Sequence, residues 1–76
     1  MYLNKQKVNK KILEWGGTKY SHPKKELWTQ LKKLEPARKV FARPNFYNMV
    51  NGLESMNIET LKNLCNILGV KKEEIL

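Results

Sequence analysis

The stretch that decides the fold is NIETLKNLCNILGVKKEEIL, residues 57–76. Its pattern predicts an amphipathic helix with a start signal, a glycine stop and a short second helix behind it. Asn57 is a suitable N-cap, because its side-chain oxygen can accept a hydrogen bond from a backbone amide two or three residues later. Gly69 stands where helices end on a left-handed residue, and Val70 can supply the apolar contact of that cap. Between these signals, apolar residues recur at spacings of three and four: Ile58, Leu61, Leu64, Cys65 and Leu68.

This stretch resembles the end of the lambda-repressor-like helix-turn-helix family (the Xre/Cro type), where the usual text is close to S-L-E-T-L-L-K-I-A-K-A-L-G-V-S-x-x-E-L. The match runs without a gap over residues 57–75. In the same register, the sequence MVNG at residues 49–52 falls on the family's I-E-x-G, which ends the recognition helix. The resemblance therefore implies a helix-turn-helix fold whose recognition helix lies near residues 43–51.

The likeness is strong over residues 44–76 and changes upstream. Residues 34–42 (LEPARKVFA) are shorter than the family's second helix, lack its glycine and contain Pro36. Ala42 stands where a capping serine is typical, and Val50 replaces the usual glutamate. A shorter second helix with a proline would change the angle between the two helices of the motif. That angle determines how the motif docks on DNA.

The rest of the chain predicts further helices. Apolar spacing indicates one helix over residues 3–15 and a second, started by a proline, over residues 23–34. A short helix over residues 37–42 and another over residues 44–51 follow two further prolines. No stretch alternates with a period of two. We therefore expect an all-α fold, a small bundle of five to six short helices.

Length and composition indicate one domain, residues 1–76. The resemblance implies that its helix-turn-helix core covers residues 23–76, which leaves a basic N-terminal helix or arm at 1–17. A chain of 76 residues, of which 41% are hydrophobic, is long enough for one small core. No apolar run approaches the roughly 18 residues of a membrane span, and residues 1–11 lack the apolar region of a signal peptide. The single cysteine, Cys65, lies on the apolar stripe, so we expect a reduced thiol and a cytoplasmic protein with no membrane partner.

Positive charge is concentrated in the first part of the chain. The net charge is +8, and residues 1–43 hold 12 of the 15 Lys and Arg and 3 of the 7 acids, which gives +9. Residues 44–76 are nearly neutral, at −1. A polyanion is the natural partner of such a surface, because each neutralised phosphate releases condensed counterions. The alternative is that the surface lysines only keep a small protein soluble.

The predicted recognition helix carries residues suited to base contacts. By resemblance, Arg43, Asn45 and Asn48 are expected to contact base edges, since arginine pairs with guanine and asparagine with adenine. Tyr47 and Asn51 are expected at the flanks or on phosphates. Backbone contacts that carry no sequence information are expected from basic residues, namely Lys5, Lys7, Lys10, Lys11, Lys19, Lys24, Lys25, Arg38 and Lys39.

Chemistry of other kinds is not indicated. One cysteine and one histidine, His22, cannot build a zinc site, and no phosphate-binding glycine loop is present. Glu73 and Glu74 are adjacent and point in different directions on a helix, which makes them a poor acid/base couple. We expect a protein that is not an enzyme and that uses neither a metal nor a cofactor.

Three functions therefore compete at this stage. The first is a sequence-specific DNA-binding protein, a transcriptional regulator of the phage-repressor type that acts on double-stranded DNA. The second is a protein-interaction module on a helix-turn-helix scaffold, such as a phage inhibitor or an antitoxin-like partner. The third is a non-specific nucleic-acid binder. A homodimer is compatible with the family, and Leu3, Trp15 or the C-terminal pair Ile75 and Leu76 could each form its face.

Overall fold

The computed structural model describes residues 1–34 and 42–76. This part of the chain holds α1 (Lys5–Gly16), α2 (Pro23–Leu34), α3 (Arg43–Val50), α4 (Ile58–Leu68) and a C-terminal 3-10 helix (Lys72–Glu74). The all-α class is confirmed, and the described residues contain no strand. The expected count of five to six α-helices is too high for this part of the chain, which contains four. The helix expected at 37–42 falls almost wholly on residues 35–41, outside the described residues.

Both predicted end signals of α4 are present. The side chain of Asn57 accepts a hydrogen bond of 2.8 Å from the amide of Thr60. Gly69 ends the helix at φ 70°, and its amide donates to the carbonyl of Cys65 at 2.8 Å. The apolar stripe is also present, with the exception of Ile58, which is exposed in the first turn.

The first helix begins two residues later than its apolar spacing predicts. Leu3 is buried ahead of the helix, and Asn4 caps it by accepting a 3.0 Å hydrogen bond from the amide of Lys7. The amide of Asn4 donates to the carbonyl of Ile75 at 2.8 Å. The start of α1 is therefore set by contact with the C-terminal segment, where Ile75 is fully buried.

The core lies where the four helices meet. α2 packs against α1 and α4, and α3 packs against α1 and α2. Each fully buried Leu, Ile, Val or Phe contributes about 1.5–3 kcal/mol relative to an exposed side chain. The core consists of Leu3, Val8, Ile12, Leu27, Leu31, Phe46, Val50, Met56, Leu61, Leu64, Cys65, Leu68 and Ile75. Leu34, the last residue of α2, is exposed.

A tight turn joins α3 to α4 and fixes the C-terminal end of α3. The amide of Leu53 donates to the carbonyl of Asn48 at 2.8 Å, so the chain folds back over the last turn of the helix. Gly52 has φ 76°, and a Cβ there would lie 2.8 Å from the carbonyl oxygen of Leu3. The backbone of residues 1–3 can therefore lie against this turn because position 52 has no side chain.

Candidate nucleic-acid interface

α3 is short and is held mainly by two buried side chains. Its eight residues, RPNFYNMV, span about 12 Å at a rise of 1.5 Å per residue. Phe46 and Val50, four positions apart, are both fully buried, and Met49 packs partly against the core. Ala42 precedes the helix in an extended conformation and provides no side-chain cap, while a proline stands in the first turn. The side of α3 opposite Phe46 and Val50 is thereby turned outward.

That outward face carries three asparagines. At about 100° per residue, Asn48 lies opposite the buried side, and Asn45 and Asn51 lie to its two sides. Asn45 is exposed and the other two are half-buried. Within residues 1–34 and 42–76, the three side-chain amides form no hydrogen bond to other protein groups. Their donors and acceptors are therefore available to a partner.

Arg43 is exposed at the N-terminal end of the same helix. α3 contains no acidic residue, so nothing on it repels a polyanion. The structure thus places Arg43, Asn45 and Asn48, the three predicted base contacts, on α3, with Asn51 as its C-cap. The asparagines share the outward side, whereas by helical rotation Arg43 lies nearer the Phe46 side, at the N-terminal end. We call these four residues the α3 face.

Tyr47 lies at the side of α3 and packs against α1 and α2. The ammonium of Lys24 sits 5.5 Å from the centroid of its ring. Tyr47 lines an open groove of about 370 Å³, together with Leu13 of α1 and Pro23 and Lys25 of α2. This position puts two lysines of α2, Lys24 and Lys25, beside Tyr47 of α3.

The predicted backbone lysines are not equivalent. Lys5, Lys7, Lys10 and Lys19 are exposed, as is Lys25, and by helical rotation Lys10 points directly away from the core. The ammonium of Lys11 instead pairs with Glu14 at 3.4 Å and with Glu74 at 3.3 Å.

Lys11 is the predicted contact that the structure favours least. Its pKa is raised above the usual range by the hydrogen bond to Glu74 and by the charge of Glu14. The pair joins α1 to the C-terminal 3-10 helix, on the flank of α1 away from Leu13 and the Tyr47 groove. Arg38 and Lys39, which were also predicted to contact phosphates, lie outside the described residues.

Ser21 and His22, directly before α2, also border this region. Both line the Tyr47 groove and a second open groove of about 410 Å³ that Lys19 and Lys25 also line. The only local sequence signal was the position directly before Pro23, which starts α2. A hydroxyl and an imidazole thus lie among the lysines at the beginning of that helix.

Other chemistry finds no support in the described part of the chain. No group of three or more His, Cys, Asp or Glu residues there is placed to hold a metal ion. Burial, with a smaller contribution from Glu73 and Glu74, raises the pKa of the Cys65 thiol. A thiol whose pKa is raised is a poor nucleophile, because the thiolate is the reactive form.

Comparisons with known proteins do not assign the chain to a family. No protein-family model, no curated protein and no solved structure matches it. Among the described residues, no helix has both the length and the apolar character required to cross a membrane.

Proposed function

We propose that this protein is a sequence-specific DNA-binding protein, a transcriptional regulator of the phage-repressor type, that places α3 in the major groove of duplex DNA. The observation that carries the proposal is the α3 face, where the side-chain amides of Asn45, Asn48 and the C-cap Asn51 have no protein partner and point outward, with Arg43 exposed at the N-terminal end of the helix. The likeness of residues 44–76 to the lambda-repressor-like family supports the same function.

The chemistry of the α3 face suits base edges. An asparagine amide can pair with both N6 and N7 of adenine, and a guanidinium can pair with O6 and N7 of guanine. An α-helix with its side chains is about 10–12 Å across, and the major groove is about 12 Å wide, so a helix such as α3 can enter it. The chain also contains no Asp or Glu between Glu35 and Glu54, which limits repulsion around the helix.

Lysines beside the α3 face would supply affinity that does not depend on sequence. Lys24 and Lys25 lie at the Tyr47 groove next to α3, and Lys19 precedes them in the connector. Contacts to phosphates fix the register of a protein on DNA but carry no sequence information. We assign these lysines to phosphates and omit Lys11, because its charge is already paired with two carboxylates.

Selection from a pool of random duplexes, followed by competition at two salt concentrations, tests this function. We expect one sequence to be enriched and to be bound at least about 10³-fold more tightly than unrelated duplex. Binding to both should weaken steeply with salt, because counterions are released. Binding without any enriched sequence would contradict base recognition, and absence of binding at low salt would contradict DNA as the partner.

Each of these negative results supports one alternative function. The non-specific nucleic-acid binder rests on the concentration of 12 of the 15 basic residues in residues 1–43. The protein-interaction module rests on exposed apolar side chains such as Leu53, which is 71% exposed. Neither alternative accounts for the grouping of the asparagines on the outward side of α3.

A further inference from the structure

The basic residues of the C-terminal part of the chain all lie at one groove. Residues 44–76 have a net charge of −1 and contain three lysines and no arginine, namely Lys62, Lys71 and Lys72. All three line an open groove of about 390 Å³ between α4 and the C-terminal 3-10 helix. Glu73 is the one acid that lines it. We call this the α4 groove, and the positive charge of residues 44–76 is concentrated there.

The floor of the α4 groove is apolar. Ile58, Leu61 and Cys65 follow one another at spacings of three and four on α4, and all three line the groove. Leu61 is 1% exposed and Cys65 is 9% exposed, whereas Ile58 is 46% exposed. Ile58 is therefore the member of the α4 stripe that the core leaves open, and its side chain lies where a partner could cover it.

The wall opposite α4 is held in place by the fold. The amide of Val70 donates to the carbonyl of Cys65 at 3.1 Å, so the chain turns back directly after α4. The amide of Lys71 donates to the carboxylate of Glu74 at 2.7 Å, and the next residue, Ile75, is fully buried. The groove is thus preformed, and a ligand that enters it does not have to order it.

The ammonium groups around the α4 groove are available to a partner. Lys62, Lys71 and Lys72 are exposed. The ion pairs of the described residues involve Lys11 and none of these three lysines. Charged groups across an interface are arranged so that opposite signs meet. Lysines beside an apolar floor therefore suit a ligand that carries carboxylates beside apolar side chains.

We propose that the α4 groove binds an acidic amphipathic helix of a partner protein, with apolar side chains on Ile58 and carboxylates against the three lysines. The floor from residue 58 to residue 65 extends about 10 Å along α4, which matches two turns of a bound helix. Helices dock in grooves through apolar anchors at such spacings. A small molecule suits the groove less, because small-molecule sites bury most of their ligand, whereas this groove is open.

The inference goes beyond DNA binding and does not rest on it. No residue of α3 lines the α4 groove, and neither do the lysines that we assign to phosphates. The two ligands therefore use different surfaces. The test uses no DNA, so its failure is distinguishable from failure of the proposed function.

Selection from a displayed library of random peptides, carried out on the DNA-free protein, is the test. Peptides of about 16 residues are long enough for about four helical turns. At about 150 mM salt, exposed charges more than about 8 Å apart are largely screened, which limits retention by the net charge of the protein alone. We expect the enriched peptides to carry more Asp and Glu than Lys and Arg, together with apolar residues at helical spacing.

Two variants locate the binding site of a selected peptide. Lys62→Glu should raise the dissociation constant at least about 10-fold, because like charges then face each other. Ile58→Ser should also raise it about 10-fold, as loss of an apolar anchor does. Fluorescence anisotropy of the labelled peptide measures both dissociation constants.

Lys33→Glu and Leu13→Ser are the matched controls. Lys33 is exposed on α2 and Leu13 is exposed on α1, and neither lines the α4 groove. The controls make matching changes of charge and polarity elsewhere, so they should leave the dissociation constant unchanged. Circular dichroism should show all four variants to be as helical as the parent.

Three results would each overturn the proposal. The first is a selection that enriches no peptide, and the second is enrichment of peptides that are not acidic. The third is a selected peptide whose binding Lys62→Glu weakens no more than Lys33→Glu does, or Ile58→Ser no more than Leu13→Ser does.

Discussion

α3 and α4 follow one another in the chain, yet different interactions hold them in place. α4 has a side-chain cap at Asn57, a left-handed glycine at its end and five buried residues. α3 has no side-chain cap at its N-terminal end, it ends at a turn where Gly52 has φ 76°, and Phe46 and Val50 are its buried residues. Local signals therefore specify both ends of α4 but only the C-terminal end of α3, and packing against α1 and α2 holds the rest of α3. The outward face of α3 contributes little to folding and is free to carry recognition residues.

The largest expected effect on stability comes from Phe46→Ala, which removes the main contact of α3 with the core. Phe46 is fully buried, so the loss in the free energy of unfolding should be about 3–5 kcal/mol. Urea unfolding followed by tryptophan fluorescence measures it. Asn48→Ala on the outward face is the control and should change the free energy of unfolding by less than about 0.5 kcal/mol. A loss near 1 kcal/mol or less for Phe46→Ala would show that α3 does not depend on this packing.

The next largest effect on stability compares the glycine that follows α3 with the glycine that ends α4. Gly52 and Gly69 both have positive φ, which costs a residue with a Cβ roughly 1–2 kcal/mol. A Cβ at Gly69 meets nothing within 4 Å, whereas one at Gly52 would lie 2.8 Å from the carbonyl of Leu3. Gly52→Ala should therefore lower the free energy of unfolding by more than Gly69→Ala does, in the same urea titration. Equal losses would mean that the contact between residue 3 and the turn is easily displaced.

A smaller effect comes from the helix caps. Asn57→Ala removes the bond to the amide of Thr60 and should cost about 1 kcal/mol in the free energy of unfolding. Ala42 already has the extended conformation of an N-cap but offers no acceptor, so Ala42→Ser should add about 0.5–1 kcal/mol. Thermal unfolding should show opposite shifts of the melting temperature for the two variants. A lower melting temperature for Ala42→Ser would contradict the view that α3 lacks only a local cap.

The smallest expected effect on stability comes from the ion pair between Lys11 of α1 and Glu74 of the C-terminal 3-10 helix. The amide of Lys71 and the ammonium of Lys11 hold the pKa of the Glu74 carboxyl below its usual range. Because the pKa is lower in the folded state, the carboxylate stabilises the fold above the pKa of an unfolded glutamate, and this contribution is lost as the pH falls through the folded value. Glu74→Gln should therefore make the melting temperature less sensitive to pH between neutrality and the acid range. An unchanged pH profile would show that this exposed pair contributes nothing.

The same difference explains how much of the structure could be predicted from the sequence. Asn57, Gly69 and the stripe of α4 act within a few residues of one another, so periodicity and cap chemistry sufficed. Asn4 gives α1 a local cap, but the burial of Leu3 ahead of it and the bond from the amide of Asn4 to Ile75 come from the C-terminal segment, and Lys11 is engaged by Glu74. These contacts join opposite ends of the chain, and no local pattern reports them.

The candidate site divides in the same way. The placement of Asn45 and Asn48 on one outward face follows from helical spacing once the buried side of α3 is known. The position of Tyr47 beneath Lys24, and of His22 in the adjoining grooves, depends on how α2 and α3 pack. Packing of this kind is set by the whole core, so the neighbourhood of Tyr47 could not be inferred from the sequence.

The most direct test of the central claim compares two sets of variants in binding to duplex DNA across a range of salt concentrations. Asn45→Ala and Asn48→Ala should each reduce the preference for the selected sequence by about 10-fold, within the 1–3 kcal/mol of a bidentate base contact, and leave the salt dependence unchanged. Lys24→Ala and Lys25→Ala should instead lower the slope of log K against log salt by roughly one unit per lost phosphate contact and keep the preference. If both sets of variants change binding in the same way, α3 does not read base sequence and the account is wrong.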